Sequence, residues 1–290
     1  MAIYNLGSIN ADLSYDVAVL PAPGETISAQ SMSRGLGGKG ANMSVAAARA
    51  AAHVIHIGAV GKDGTWAIER LTEYGVDTRF ITRGSTTGHA IIMVDQNGEN
   101  AIVIHSGANI ELTEDAIGAA LSQASTSDYF MAQNETNMQV EAAITAKNLG
   151  LKVVYAAAPF VIDAVTQILP TVDILILNQI EAEQLQKATG KKPQDFGVSQ
   201  VIITLGSRGC QWFNSETGAS KLFDAEPVEA VDTTGAGDTF TGYLIAGLDR
   251  GMPMEQAILN ANRAAAIMVT RRGTADVIPD LKDIQDKFNL

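Results

Sequence analysis

From Val54 onward the sequence alternates short apolar runs with amphipathic stretches. "HVIHIGAVG" is followed by "WAIERLTEYG", "DYFMAQ" by "VEAAITAKNLG", "KVVYAAAP" by "AVTQIL" and "DILILN" by "EAEQLQKAT", and "VIITLGS" comes later. Short apolar runs bounded by turns and spaced by helical patterns read as buried parallel strands with crossover helices. The expected fold is therefore α/β, a three-layer α/β/α sandwich. A chain of 290 residues, 46% of them apolar, can bury such a core and carry an appendage. No internal repeat or linker divides it, so residues 1–290 are read as one domain.

Two stretches break the rhythm. "AIIMVDQNGENAIVIHSG" alternates on both sides of Asn97-Gly98, a strong hairpin-turn pair. "LSYDVAVLPAPGETISAQSMS" is also strand-like, punctuated by proline and glycine. Together they predict a small antiparallel β-sheet lid, assembled discontinuously from about 12–35 and 86–106, over a site at the sheet edge. An apolar face on that lid predicts a homodimer joined through it, with one of Ile102 and Ile104 pointing outward. After the helix ending near Thr189 only "GKKPQDFGVSQ" precedes the next strand, so that edge of the sandwich is expected to be thinly covered.

Charge and composition exclude several classes of partner. A formal charge of -12 argues against a nucleic-acid surface, which needs clustered Lys and Arg. No apolar run approaches membrane-spanning length, and the N-terminal residues lack a signal pattern. The single cysteine, Cys210, cannot form an intramolecular disulfide or a cysteine-based zinc site and fits a reducing, cytoplasmic setting. His53, His56, His89 and His105 show no metal-ligand spacing and read as core or surface histidines. An anionic ligand would have to be held locally, by helix N-termini and glycine-rich backbone.

Several motifs could do that. "GLGGKGAN", Gly35 to Asn42, contains a G-x-G-x-x-G pattern with Asp63 further on, as in dinucleotide-binding folds. The polar "ISAQSMSR" before it is not the buried strand that fingerprint requires, and Lys39 is followed by glycine, not the hydroxyl residue of a Walker A loop. Close backbone packing and a polar rim for a small ligand both remain. "GSINAD" puts Asn10 and Asp12 after the first buried strand, either in an Asx turn or at a ligand-binding strand end. "NQIE", Asn178 to Glu181, could cap its helix or orient a hydrated magnesium. "TLGSRG", Thr204 to Gly209, is either a plain turn or a loop along a phosphate or ribose.

"VDTTGAGDTFTGYLIAGL", Val231 to Leu248, is the most specific. A Gly-Ala-Gly turn at a helix start supplies amides for developing phosphoryl charge, with Asp238 within reach as a base. An N-cap aspartate would not need two glycines. Asp232 is placed to fix the loop or to ligate a cation.

With "GGKGANMS", "GENAIVIHSGAN", "NQIEAE", "DTTGAGDTFTG" and "AAAIMVTRRG" in this order, the chain resembles the PfkB family of carbohydrate kinases along essentially its whole length. The resemblance implies an ATP-dependent, magnesium-requiring kinase of a small sugar, ribose foremost, with another pentose, a ketohexose, a nucleoside or a non-catalytic sugar-binding role as alternatives. It implies Asp238 as the base, with Gly235, Ala236 and Gly237 as the anion hole. It also implies Asn10, Asp12, Gly38, Lys39, Gly40, Asn42 and Glu135 at the sugar. Asn178, Thr204, Leu205, Gly206, Ser207, Arg208, Gly209, Gly237 and Asn262 fall at ATP, with Glu181 acting on magnesium through water. Asp232, Thr234, Met268, Arg271 and Gly273 align with a monovalent-cation (K+) loop, where Val277 replaces a hydroxyl residue. Ala156 stands where the pattern has asparagine.

Overall fold

The computed structural model describes residues 1–289. In chain order the strands are β1 (Ile3–Leu6), β2 (Asn10–Asp16), β3 (Ser31–Gly37), β4 (Val54–Val60), β5 (Asp77–Arg83), β6 (Gly88–Val94) and β7 (Asn100–His105). They continue with β8 (Tyr129–Gln133), β9 (Lys152–Ala156), β10 (Ile174–Asn178), β11 (Gln200–Thr204), β12 (Cys210–Asn214) and β13 (Ala219–Phe223). The helices are α1 (Lys39–Arg49), α2 (Thr65–Glu73), α3 (Glu114–Leu121), α4 (Gln139–Asn148) and α5 (Ile162–Ile168). Then come α6 (Gln179–Thr189), α7 (Ala236–Asp249), α8 (Met254–Met268) and α9 (Leu281–Phe288). None of these helices is long and apolar enough to cross a membrane.

The main sheet has the order β13-β12-β11-β10-β9-β8-β1-β4-β5, parallel from β5 to β11 and antiparallel at β12 and β13. Its strands are apolar on both faces because helices cover both. Alternation along β9 sends Val154 and Ala156 into the core beneath α1, α2, α7, α8 and α9. Val153 and Tyr155 enter the opposite core beneath α3 to α6. This is the three-layer sandwich the alternation predicts. The sequence reading missed β5 and the β12–β13 hairpin.

The second sheet has the order β3-β2-β6-β7. Each outer pair is antiparallel, as expected, but β2 and β6 pair in parallel, from Asn10 opposite Gly88 to Asp16 opposite Val94. The small sheet is therefore mixed, because both central strands leave the main domain at the same edge and run outward together. Ile102 and Ile104 lie opposite Ile92 and Ala90, so both are on one face, as a two-residue period requires. The expectation that only one of them points outward is corrected: they are 50% and 62% exposed.

The segment after Thr189 is not a missing crossover, since α6 itself makes the connection from β10 to β11. Nor is this the edge of the sandwich, because β12 and β13 extend the sheet beyond β11, and Phe196 and Val198 of the loop are buried in the core beneath α6.

Helices α1 and α7 pack with almost nothing between them. A Cβ on Gly242 would stand 2.5 Å from Ala46 Cβ and 2.6 Å from the Met43 carbonyl oxygen.

Candidate active site

Two glycine-containing turns open α1 and α7 at the C-terminal edge of the parallel strands. At α1 the N-cap is Gly38, with φ +92°, a conformation open to glycine. A Cβ on Gly40 would fall 2.4 Å from Gly7 Cα, so two glycines let the helix start touch the turn after β1. The amides of this turn are already committed: Lys39 N–H donates to Glu135 Oε2 at 3.1 Å, Gly40 N–H to Ser8 Oγ at 3.3 Å and Ala41 N–H to the Ser8 carbonyl at 2.9 Å. Three consecutive amides of that turn are therefore not open to a pyrophosphate. Since β3 before it belongs to the small sheet, the dinucleotide reading fails on both counts.

A buried polar chain supports the contact from below. Gln133 Nε2 donates to Asn5 Oδ1, Asn5 Nδ2 to Ser44 Oγ, and Ser44 Oγ to His56 Nδ1. His56 Nε2 faces the Gly7 carbonyl at 3.1 Å, so this nitrogen carries the proton. Burial pushes the His56 imidazole down to about 4, which keeps it neutral, a core histidine as the sequence suggests.

At α7 the N-cap is Gly235, with φ +73°, and no side chain caps the helix. Asp238 sits one turn inside the helix, which removes the N-cap reading. The Ala236 N–H makes a long 3.3 Å bond to the Thr233 carbonyl, whereas the N–H groups of Gly235, Gly237 and Asp238 find no acceptor among the described residues. This N-terminus, unlike that of α1, is open to an anion.

Asp238 is 7% exposed, and its Oδ2 accepts from Asn42 Nδ2 at 2.8 Å. Burial raises its carboxyl above the usual range, opposed by the Lys39 ammonium and the Asn42 bond. Lys39 is in turn held more basic, chiefly by Asp238 and then by Glu135, Glu181 and Asp12. Burial pushes the Asp12 carboxyl up to about 6, with Glu135 adding to the effect and Thr274 and Lys39 opposing it. Gly37 makes room for this carboxylate, since a Cβ there would lie 2.0 Å from Asp12 Oδ2. Glu135 Oε2 also accepts from Ser8 Oγ at 2.5 Å. Asn109 Oδ1 accepts from the Ile9 amide and Asn109 Nδ2 donates to Asn10 Oδ1 at 2.7 Å, which leaves the Asn10 amide nitrogen free. Asn10, Asp12, Lys39, Asn42, Glu135 and Asp238 are thus brought together, as expected. Ser8, Gly37 and Asn109, which hold them, were not anticipated.

A cleft of about 620 Å³ opens on the other side of the α7 turn, walled by Asn178, Thr204, Gly206, Gly237, Phe240 and Asn262 among others. Leu205, Ser207, Gly209 and Ala236 line it too. Arg208 does not; its guanidinium bonds Gln179 Oε1 at 2.5 Å on the rim. Glu181 forms a reciprocal capping box with Asn178, its Oε2 accepting the Asn178 N–H at 2.7 Å. Burial raises its carboxyl, with the Asn178 N–H opposing. Asp232 Oδ1 accepts the Thr234 amide at 2.9 Å and its Oδ2 the Gly273 amide at 3.2 Å. Arg271 turns away to the Val277 carbonyl and Asp283, both at 3.1 Å. Met268 packs behind Gly235, where a Cβ would be 3.3 Å from Met268 Cε.

A polar pocket and a largely apolar cleft, on either side of a buried carboxylate beside open helix amides on an α/β/α sandwich, define a phosphotransferase with an alcohol group as acceptor. The chain belongs to the pfkB family of carbohydrate kinases, whose sequence model matches residues 3–281. It is 39% identical to the ribokinase of Haemophilus influenzae over 94% of either chain. Among solved structures it resembles the ribokinase of Thermotoga maritima, with a TM-score of 0.88 and 32% identity over 100% of this chain and 99% of that one. The Arabidopsis thaliana ribokinase complexed with ribose and ATP superposes with a TM-score of 0.85 at 28% identity, over 98% and 97% of the two chains.

Proposed function

We propose that this protein transfers the γ-phosphoryl group of ATP to the primary hydroxyl of D-ribose, giving ribose 5-phosphate and ADP. The observation that carries the reading is the position of Asp238, buried between the polar pocket and the cleft, with one carboxylate oxygen held by Asn42 and the other available. The sugar oxygen attacks the γ-phosphorus as its proton passes to Asp238, the bond to the β-phosphate oxygen breaks, and ADP leaves. Charge on the transferring group meets the amides of Gly235 and Gly237, with Ala236 completing the turn. Asp12, Glu135, Asn10 and Asn42 bind sugar hydroxyls beside Gly38, Lys39 and Gly40, and Lys39 holds the carboxylates ionised. The cleft at Asn178, Thr204 to Gly209 and Asn262 takes the nucleotide.

Magnesium fits this arrangement, because Glu181 is half-buried and spends only one oxygen on its cap. Through a water it would hold the ion, which would supply positive charge to offset that of the nucleotide phosphates. A monovalent cation fits less well: both Asp232 oxygens accept amides, and Val277 presents methyl groups toward Gly273 where a hydroxyl would ligate. No step is routed through potassium.

The small sheet then serves as the lid, and its exposed apolar residues support a homodimer joined through two such lids. With ATP as donor and a buried free cysteine, the cytoplasm is the place of action. A phosphorylation screen with ATP and magnesium over D-ribose, other pentoses, ketohexoses and nucleosides tests the assignment. Ribose should give the highest kcat/KM; a nucleoside or ketohexose preferred over ribose would overturn the substrate, and no transfer to any acceptor would overturn the reaction.

A further inference from the structure

The turn that closes the base of the lid carries an asparagine to which the sequence reading gives no role. Asn109 stands in the short 3-10 turn Gly107–Ile110, directly after β7, and is 2% exposed. The turn is pressed against the chain entering β6: the Ala108 N–H donates to the Thr86 carbonyl at 2.8 Å, and a Cβ on Gly107 would stand 2.4 Å from that same oxygen. Gly88 lies opposite Asn10 where β6 pairs with β2, and a Cβ there would fall 2.2 Å from Asn109 Nδ2 and 2.4 Å from Asn10 Oδ1. That glycine leaves the room in which the two amides meet.

The direction of their contact is fixed by the backbone. A side-chain amide has an accepting end and a donating end of nearly the same shape, so its surroundings decide which way it faces. The Ile9 N–H can only donate, and it takes Asn109 Oδ1 at 2.9 Å. Asn109 is left with Nδ2 for its neighbour, and Asn10 must answer with its own oxygen, at 2.7 Å. The polar end that Asn10 keeps for a ligand is therefore its amide nitrogen, which makes it a donor. Asp12, two residues further along β2, lies on the same face of the strand and when ionised can only accept. One strand face thus shows a donor beside an acceptor.

We propose that Asn109 is a positioning residue that sets the hydrogen-bond polarity of the sugar pocket, holding Asn10 as a donor to an oxygen of the acceptor sugar. This rests on the reading of Asn10 as a sugar ligand. An oxygen facing Asn10 must accept and a hydroxyl facing Asp12 must give its proton, so the sugar is matched in one direction along the strand. With Asn10 free to turn over, the face would show two acceptors as readily as one of each, and that discrimination would be lost.

The test reverses the polarity. Asn109→Asp keeps the size and the acceptor for the Ile9 N–H but removes the donor, so Asn10 turns its nitrogen to the new carboxylate and its oxygen to the ligand. Asn109→Ala releases Asn10 instead, and it carries the test if the buried charge costs the fold. Both are measured alone and combined with Asn10→Ala, by steady-state kinetics in ribose and in ATP and by thermal melting. Asn109→Asp should raise the sugar KM about tenfold and Asn109→Ala about threefold, with the ATP KM within about twofold in each. On Asn10→Ala either change should add less than about twofold, because the effect passes through one contact. A residue that only braced the lid base would lower the melting temperature, move both KM values alike and do so equally with or without the Asn10 side chain. That pattern, or a sugar KM unchanged in both Asn109 variants, overturns the positioning role, while a raised sugar KM in Asn10→Ala leaves the pocket assignment in place. An unchanged sugar KM in Asn10→Ala overturns Asn10 as a sugar ligand, and the positioning role with it.

Discussion

Asn42 and Asp238 lie 196 residues apart in sequence and meet at 2.8 Å, the amide of one helix start donating to the carboxylate of the other. Asn42 takes Oδ2, and Oδ1 has no hydrogen-bond partner among the described residues. A carboxylate this buried, lifted by desolvation yet kept ionisable by Lys39, suits a base that must accept a proton and later release it.

Asp238→Asn keeps the shape and the Asn42 contact but cannot take the proton. Turnover should fall by roughly 10²- to 10⁴-fold, with melting temperature and calorimetric sugar binding close to the parent. Turnover within a factor of two would remove Asp238 from the chemistry.

Asp12 governs the response to acid. Its carboxyl is pushed up to about 6, so it becomes neutral as pH falls through that value and loses acceptor strength toward sugar hydroxyls. Asp238, raised in the same direction, adds a loss of the same sign. The kcat/KM for sugar should therefore decline below about pH 6 and hold at neutral pH. In Asp12→Asn the sugar KM should rise by roughly tenfold or more, and the acidic limb should lose the component near pH 6. A kcat/KM profile of identical shape in the parent and Asp12→Asn would show that Asp12 does not set the limb.

Ile104 is the most exposed of the large lid apolar residues. Sedimentation at micromolar concentration should show a dimer, and Ile104→Glu should shift it toward monomer and weaken sugar binding together. A parent protein that stays monomeric at every concentration removes the lid-mediated dimer and leaves the phosphotransfer reading intact.

Phe196 is 5% exposed and, following the 3-10 turn Pro193–Asp195 of the loop after α6, fills the core beneath that helix. Phe196→Ala should cost about 3 to 5 kcal/mol of unfolding free energy in denaturant titration, with both KM values within about twofold of the parent. A loss under 1 kcal/mol would mean this part of the core is held by other contacts.

The sandwich was legible because parallel strands covered on both faces leave continuous apolar runs, and the lid because Asn97-Gly98 marks a hairpin. The β12–β13 hairpin carries weaker signals: Ala219, Ser220 and Lys221 are exposed and mostly polar, so no apolar alternation marks the strand. The parallel pairing of β2 with β6 joins segments some 78 residues apart and follows from where both leave the domain, which no local pattern encodes. At the site, Asp238 and the glycines beside it stood out because such a turn has few other uses. Ser8 and Asn109 did not, since a serine or an asparagine near a turn has many ordinary roles and only the folded chain shows which carboxylate or amide each one holds.

The contact at Gly242 has a consequence for how such an enzyme can diversify. Gly242 is one helical turn from Asp238, and Ala46 one turn from Asn42, so the spacing of the two helix starts is inherited from backbone against backbone. Substitutions elsewhere in α1 or α7 have no side-chain layer through which to widen or narrow that gap. Selection for a different acceptor would instead act on the lid strands, where β2 carries Asp12, and on the end of β8, which leads into Glu135. Acceptor preference can drift over generations along that rim while the proton-transfer geometry stays fixed.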